Sequence, residues 1–111
     1  MDFTNRTVEG ITVLDITGNL GITNIKEFKQ RVLTFISQGA KKVILNFDQT
    51  KYIDSMGITA LITIYTKMKE RGVKFKFAAV QGQVKQLLQI SKLDKVFPIT
   101  ETFDSAVADL K

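Results

Sequence analysis

Four consecutive residues, Asp54-Ser55-Met56-Gly57, are the part of the chain best suited to chemistry or recognition. They stand just before a helical stripe of apolar residues, so Asp54 and Ser55 fall where a helix begins. A short polar side chain there accepts hydrogen bonds from free backbone N–H groups, and the positive end of the helix favours an anion. Helix capping alone accounts for the dipeptide. A serine hydroxyl in that position is also a good phosphate acceptor, because an added charge of about −1.5 to −2 would face the helix's own N–H donors. Gly57 adds to the case. A glycine in a first helical turn costs about 1 kcal/mol against alanine, so something needs the missing side chain, such as close approach by a partner's backbone.

Other chemistries are poorly served. The chain has no cysteine and no histidine. No disulfide, zinc–thiolate cluster or thiol nucleophile is available, and the commonest general base and metal ligand are missing. Asp48, Asp54 and Ser55 make a conceivable hydrolytic set, but no general base stands out among them. Neither a Gly-x-x-x-x-Gly-Lys segment nor a Gly-x-Gly-x-x-Gly turn occurs, so no nucleotide cofactor is indicated. The expectation is a binding protein without catalytic residues, metal or cofactor.

The elements that position this segment follow from hydrophobic periodicity. With 111 residues, 44% apolar and 24% charged, the chain has the size and composition of a single domain over residues 1–111. Two strands are expected over residues 3–8 and 11–17, broken at Glu9-Gly10. Asn24 reads as an N-cap with Glu27 three positions later, as in a capping box, and Ile25, Phe28, Val32, Phe35 and Ile36 follow at helical spacing up to Gly39. Residues 43–47 form a short, nearly continuous apolar run, as expected of a parallel strand covered on both faces. A second helix carries Ile58, Leu61, Ile62, Tyr65 and Met68 and stops at Gly72. A strand with Phe75, Phe77 and Ala79, a third helix with Val84, Leu87, Leu88 and Ile90, a brief strand over residues 96–99 and a last helix with Phe103, Val107 and Leu110 complete the order. This β-β-α-β-α-β-α-β-α series predicts an α/β fold: a mixed, mostly parallel sheet of four to five strands with about four helices, only the first strand antiparallel. The expected core is Ile25, Phe28, Val32, Val43, Leu45, Leu61, Ile62, Tyr65, Phe75 and Phe77.

In an open α/β sheet, functional loops gather at the carboxyl ends of the strands. Two loops qualify here, over residues 18–23 and 48–55, and they leave the same edge. Residues 19–23 and 54–58 are therefore the expected partner surface. The net charge of +5 suits nucleic acid, anionic lipid or an acidic protein face. Its cations are scattered along the chain, as in Lys67, Lys69, Arg71, Lys74 and Lys76, and no nucleic-acid signature accompanies them, so solvated faces are expected and direct nucleic-acid binding is not. The first residues do not read as a secretion signal, and no apolar run approaches the roughly 20 residues that span a bilayer. A cytoplasmic protein without membrane insertion, monomeric or weakly dimeric, is the expectation.

The segment Asp54-Ser55-Met56-Gly57-Ile58, preceded by residues 43–47 and Tyr52-Ile53, resembles the Asp-Ser-x-Gly-Ile/Leu signature of STAS domains, the anti-sigma factor antagonists of bacteria. Residues 13–20 look like that family's second strand and its Gly-x-Leu turn, and residues 93–97 like its late helix-to-strand turn, so the similarity covers nearly the whole chain. It implies partner switching. The unmodified antagonist binds an anti-sigma factor, usually a serine kinase of the histidine-kinase-like ATPase fold, and so releases a sigma factor; the kinase phosphorylates the motif serine and a metal-dependent serine phosphatase reverses it. Carried onto this chain, the acceptor is Ser55, Asp54 is its acidic neighbour, and Gly57 with Met56 forms part of the contact surface, to which the placement of the two loops adds Asn19, Gly21, Thr23 and Ile58. Two departures stand out. Many phosphorylated members have an acidic residue at the position of Gly21, and Met56 replaces a small or hydroxylated residue. The Gly21 departure favours an alternative, in which the domain docks on a transporter or sensory scaffold and Ser55 is not modified.

Overall fold

The computed structural model describes residues 2–111, and its main sheet is built from the inside out. Its central strands are β2 (Ile11–Ile16), β4 (Lys42–Asn46) and β6 (Lys74–Ala78), paired parallel, with β1 (Phe3–Val8) antiparallel on one side and the short β7 (Ile99–Thr100) parallel on the other. The order across the sheet is therefore β1-β2-β4-β6-β7. Alternation along the strands explains why both faces are covered. Leu14, Ile16, Val43, Leu45, Phe75 and Phe77 point to one face, where α1 (Ile25–Ser37), α2 (Ser55–Glu70) and α3 (Gly82–Ile90) pack. Ile11, Val13, Ile44 and Ala78 point to the other, where Ala106, Val107 and Leu110 of α4 (Phe103–Leu110) meet them. The mixed, mostly parallel sheet and the four α-helices are those that the periodicity predicts.

The core differs from expectation in the phase of α2. Ile62 is 42% exposed, while Gly57, Ala60, Leu61, Ile64 and Met68 form the buried stripe; Ile25 and Tyr65 are only half-buried. Apolar residues cover more than half the circumference of this helix, so spacing alone accommodates either phase. The buried set i, i+3, i+4, i+7, i+11 is the one whose small first members let α2 lie close to the sheet. Ile90 closes α3 but faces outward, 78% exposed.

The end of the chain differs too. Residues 93–95 form a 3-10 turn, with the Phe97 N–H donating to the Leu93 carbonyl at 2.8 Å, so Val96 lies in a turn and the last strand starts only at Ile99. Pro98, which has no N–H to give, sits between turn and strand.

Candidate functional site

The two expected loops each contain a short strand. β3 (Gly18–Leu20) pairs in parallel with β5 (Thr50–Ile53) as a separate two-stranded sheet, with Asn19 opposite Tyr52 and Leu20 opposite Ile53. The Thr50 hydroxyl ties it to the main sheet by donating to the Ile16 carbonyl at 2.7 Å. This pairing carries the two candidate segments to one place: β3 runs into the turn before α1, β5 runs into α2, and the Asp54 N–H donates to the Leu20 carbonyl at 3.3 Å.

Asp54 is the hub. It is the N-cap of α2, in extended conformation, and its carboxylate accepts from the Gly57 N–H at 2.9 Å and from the Ile22 N–H at 3.1 Å. The first of these bonds is capping, and the second staples the other loop to the helix start. Donation from the Gly57 and Ile22 amides holds the carboxyl below the usual carboxylate range, so Asp54 stays ionised at neutral pH.

Ser55 follows as the first residue of a helix of 16 residues with no acidic side chain in its first turn. It is exposed, and among the described residues no hydrogen bond engages its hydroxyl. Two large apolar side chains near it are also out in solvent, Ile22 at 74% and Met56 at 46%. Exposed apolar groups around a free polar one resemble the centre of a transient protein interface more than an ordinary surface.

The remaining expected site residues divide. Asn19 and Thr23 are exposed beside this cluster. Ile58 is half-buried against the core. Gly57 is buried, and its lack of a side chain serves the chain itself. A Cβ there would lie 2.6 Å from the Leu20 carbonyl oxygen and would strike the Ile53 side chain, so the close backbone approach is internal and no partner is needed to explain it. Gly21 is likewise buried, because a Cβ at that position would overlap the Asp54 carboxylate.

Gly21→Ala should therefore push the Asp54 carboxylate off its two amides. Gly21 lies outside the left-handed region, so backbone strain adds nothing. The expected loss is about 1 kcal/mol, the usual cost of a helix cap. It should come with upfield amide-proton shifts at Gly57 and Ile22; unchanged shifts there would mean that Asp54 never held them.

Two positioning residues were not legible in advance. Asn24 is the N-cap residue of α1, as expected, and its carbonyl accepts from the Phe28 N–H at 3.0 Å. Its side chain makes no capping bond, however, and no capping box forms, because Glu27 turns forward to pair with Arg31 at 2.9 Å. The Asn24 and Ile25 N–H groups are instead met by the Gly21 carbonyl. The freed Asn24 side chain, 7% exposed, accepts from the Gly21 N–H at 3.0 Å and donates to the Asn19 carbonyl at 2.7 Å, holding the loop from inside. Gln83 brackets the residue before Asp54: its oxygen accepts from the Ile53 N–H at 2.9 Å and its amide donates to the Ile53 carbonyl at 3.0 Å. A buried asparagine can be read as any cap, and a glutamine between Gly82 and Val84 reads as solvated surface.

Among the described residues, no group of three acidic side chains could hold a metal, and no helix is long and apolar enough to cross a membrane. What this site offers is a preformed surface with a free hydroxyl at its centre.

The STAS domain profile matches residues 2–106, and the chain belongs to that family. A Thermotoga neapolitana protein named as a candidate anti-sigma factor antagonist is 26% identical over 110 residues, which span 98% of this chain and 97% of that one. The crystal structure of a candidate anti-sigma factor antagonist from Thermotoga maritima has the same fold, with a TM-score of 0.90 at 24% identity over 97% of this chain and 93% of the other. So does the phosphorylated form of the Bacillus cell fate determinant SpoIIAA, with a TM-score of 0.76 at 18% identity over 98% and 99% of the two chains.

Proposed function

We propose that the chain is an anti-sigma factor antagonist that works by partner switching. The unmodified protein binds an anti-sigma factor with serine kinase activity through the surface around Ser55, and a sigma factor is released. Phosphorylation of Ser55 ends the binding, and a serine phosphatase restores it. The observation that carries this reading is the exposed, unengaged hydroxyl of Ser55 at the start of α2, with Ile22 and Met56 exposed around it. The antagonist names of similar proteins and the phosphorylated state of SpoIIAA, a chain of the same fold, support it.

The surface acts by contact. Ile22 and Met56 supply apolar area, Asn19 and Thr23 supply polar rim, and Asp54 locks the two segments into one rigid face, which lowers the ordering cost of binding. The test is modification itself. Incubation with ATP and serine kinases encoded beside antagonists of this family should add one phosphate, mapped by mass spectrometry to Ser55 and absent from Ser55→Ala. A phosphate on another residue would remove Ser55 from the mechanism.

One observation favours a second reading. Because Asp54 covers Gly21, the chain has no room for the acidic residue that phosphorylated relatives carry at that position. If no kinase modifies Ser55 while a transporter or scaffold protein still shifts the amides of residues 19–23 and 54–58, the domain is an unmodified docking subunit.

A further inference from the structure

The cations that look scattered in sequence are gathered in space, at the end of the molecule away from Ser55. β4 and β6 are parallel and start side by side, with Lys42 opposite Lys74, and the Lys74 N–H donates to the Lys41 carbonyl at 2.9 Å. α2 returns to that edge and ends on Lys67, Lys69 and Arg71 just before β6. Lys69 shares a groove with Val96 and Pro98, which brings Lys95 to the same end. Lys76 does not belong to the group: it lies one pleat further along β6, on the same face as Lys42 and Lys74, and is neutralised by Asp109 of α4 at 3.6 Å.

Glu70 is the acid interspersed among these seven cations. Asp94 lies along a different groove with Lys85 and Glu101, and Glu9 at the β1–β2 turn is neutralised by Lys111. Seven cations against Glu70 make this end strongly positive, and the exposed Lys92, between Ile90 and Lys95, adds to it. Among the described residues, none of the seven forms an ion pair. Like charges held together without counter-charges repel and destabilise the compact state, which points to an anionic surface outside the chain.

The residue types select which surface. Six of the seven cations are lysines, flexible point charges suited to a diffuse field, where arginine's rigid fork suits bidentate contacts to phosphates and base edges. The exposed apolar residues at this end are aliphatic, Val96 at 53% and Ile90 at the close of α3. The aromatic rings of the groove are engaged: the half-buried Tyr65 packs on Phe75 and Phe97 with centroids 5.7 and 5.3 Å apart and has the Lys69 ammonium 5.6 Å from its own centroid, which leaves no free ring for a base to stack on. We propose that this basic end docks reversibly on an anionic phospholipid surface, the lysines in the headgroup layer and Val96 and Ile90 at its apolar boundary. Since α2 is about 24 Å long, a chain docked this way holds Ser55 well clear of the bilayer and open to a partner. The proposal does not depend on modification of Ser55.

Vesicle co-sedimentation of the full chain tests it. At about 0.1 M salt the protein should pellet with phosphatidylcholine vesicles that contain about one-third phosphatidylserine, not with phosphatidylcholine alone, and should be released at about 0.5 M salt. Lys69→Gln/Lys74→Gln should weaken binding about thirtyfold, on the usual contribution of two lysines near such a surface. Lys26→Gln/Lys85→Gln, with the same change in net charge placed elsewhere, should change it by less than about threefold. Circular dichroism establishes that both variants fold. Equal losses from the two pairs would reduce the effect to net charge and overturn the proposal. So would indifference to phosphatidylserine, or displacement from the vesicles by a duplex oligonucleotide at equal phosphate concentration, which would assign this end to nucleic acid.

Discussion

Replacing Leu61 with alanine should cost about 2–5 kcal/mol, whereas the same change one residue on, at Ile62, should cost less than about 0.5 kcal/mol. Leu61 is fully buried in the main core and Ile62 is 42% exposed, although both belong to one apolar stretch of α2. The difference comes from the cavity. Removing the Leu61 side chain leaves a void between helix and sheet that close-packed neighbours fill only in part, while the space left at Ile62 opens to solvent and encloses no void. Urea unfolding with a shared m-value gives both numbers. Comparable losses at the two positions would mean that α2 is rotated from the orientation described, and with it the placement of Ser55.

The contrast also marks what could be read from residues alone. The sheet was legible because its strands carry two-faced apolar runs, Val43 to Leu45 above all, and because strands alternating with helical stripes leave little freedom of topology. The stripe of α2 is legible but its phase is not, since Ile58, Ile62 and Tyr65 repeat at the same spacing as the buried Gly57, Leu61 and Ile64. β3 and β5, of three and four residues, are too short to show any period, so the sequence reveals only the place of their loops at one edge of the sheet. The Asp54 cap and the Ser55 start of α2 followed from residue type. The second role of Asp54, as acceptor from Ile22 across 32 positions, had no local signal, and neither did the Gln83 bracket on Ile53. Ile22 lies within the expected surface of residues 19–23, and a lone large apolar side chain in a stretch rich in glycine and polar residues is the signal that singles it out. The basic end was invisible for a related reason: Lys41-Lys42, Lys67 to Lys74 and Lys95 meet only because β4, β6 and the segment before β7 share an edge.

A phosphate on Ser55 should leave the fold intact and weaken partner binding by a hundredfold or more. On the stability side, Ser55 is exposed, its hydroxyl supports no internal hydrogen bond, and the positive end of α2 favours the added charge. The Gly57 amide is already taken by Asp54, so the modified residue gains little beyond that dipole, and its melting temperature should shift by no more than about 5 °C. On the binding side, a partner seated on Ile22 and Met56 must cover Ser55, and after modification it must strip water from a dianion beside the Asp54 carboxylate. A penalty of about 2.7 kcal/mol already amounts to a hundredfold loss. Enzymatically phosphorylated protein is the right probe, because Ser55→Asp supplies one charge on a shorter stem. Melting temperature and affinity for the unmodified protein's partner need to be measured on the same sample. A folded phosphoprotein that binds as before would take Ser55 out of the interface; one that unfolds would show that α2 cannot carry the charge at its first residue, and that any loss of binding is a loss of structure.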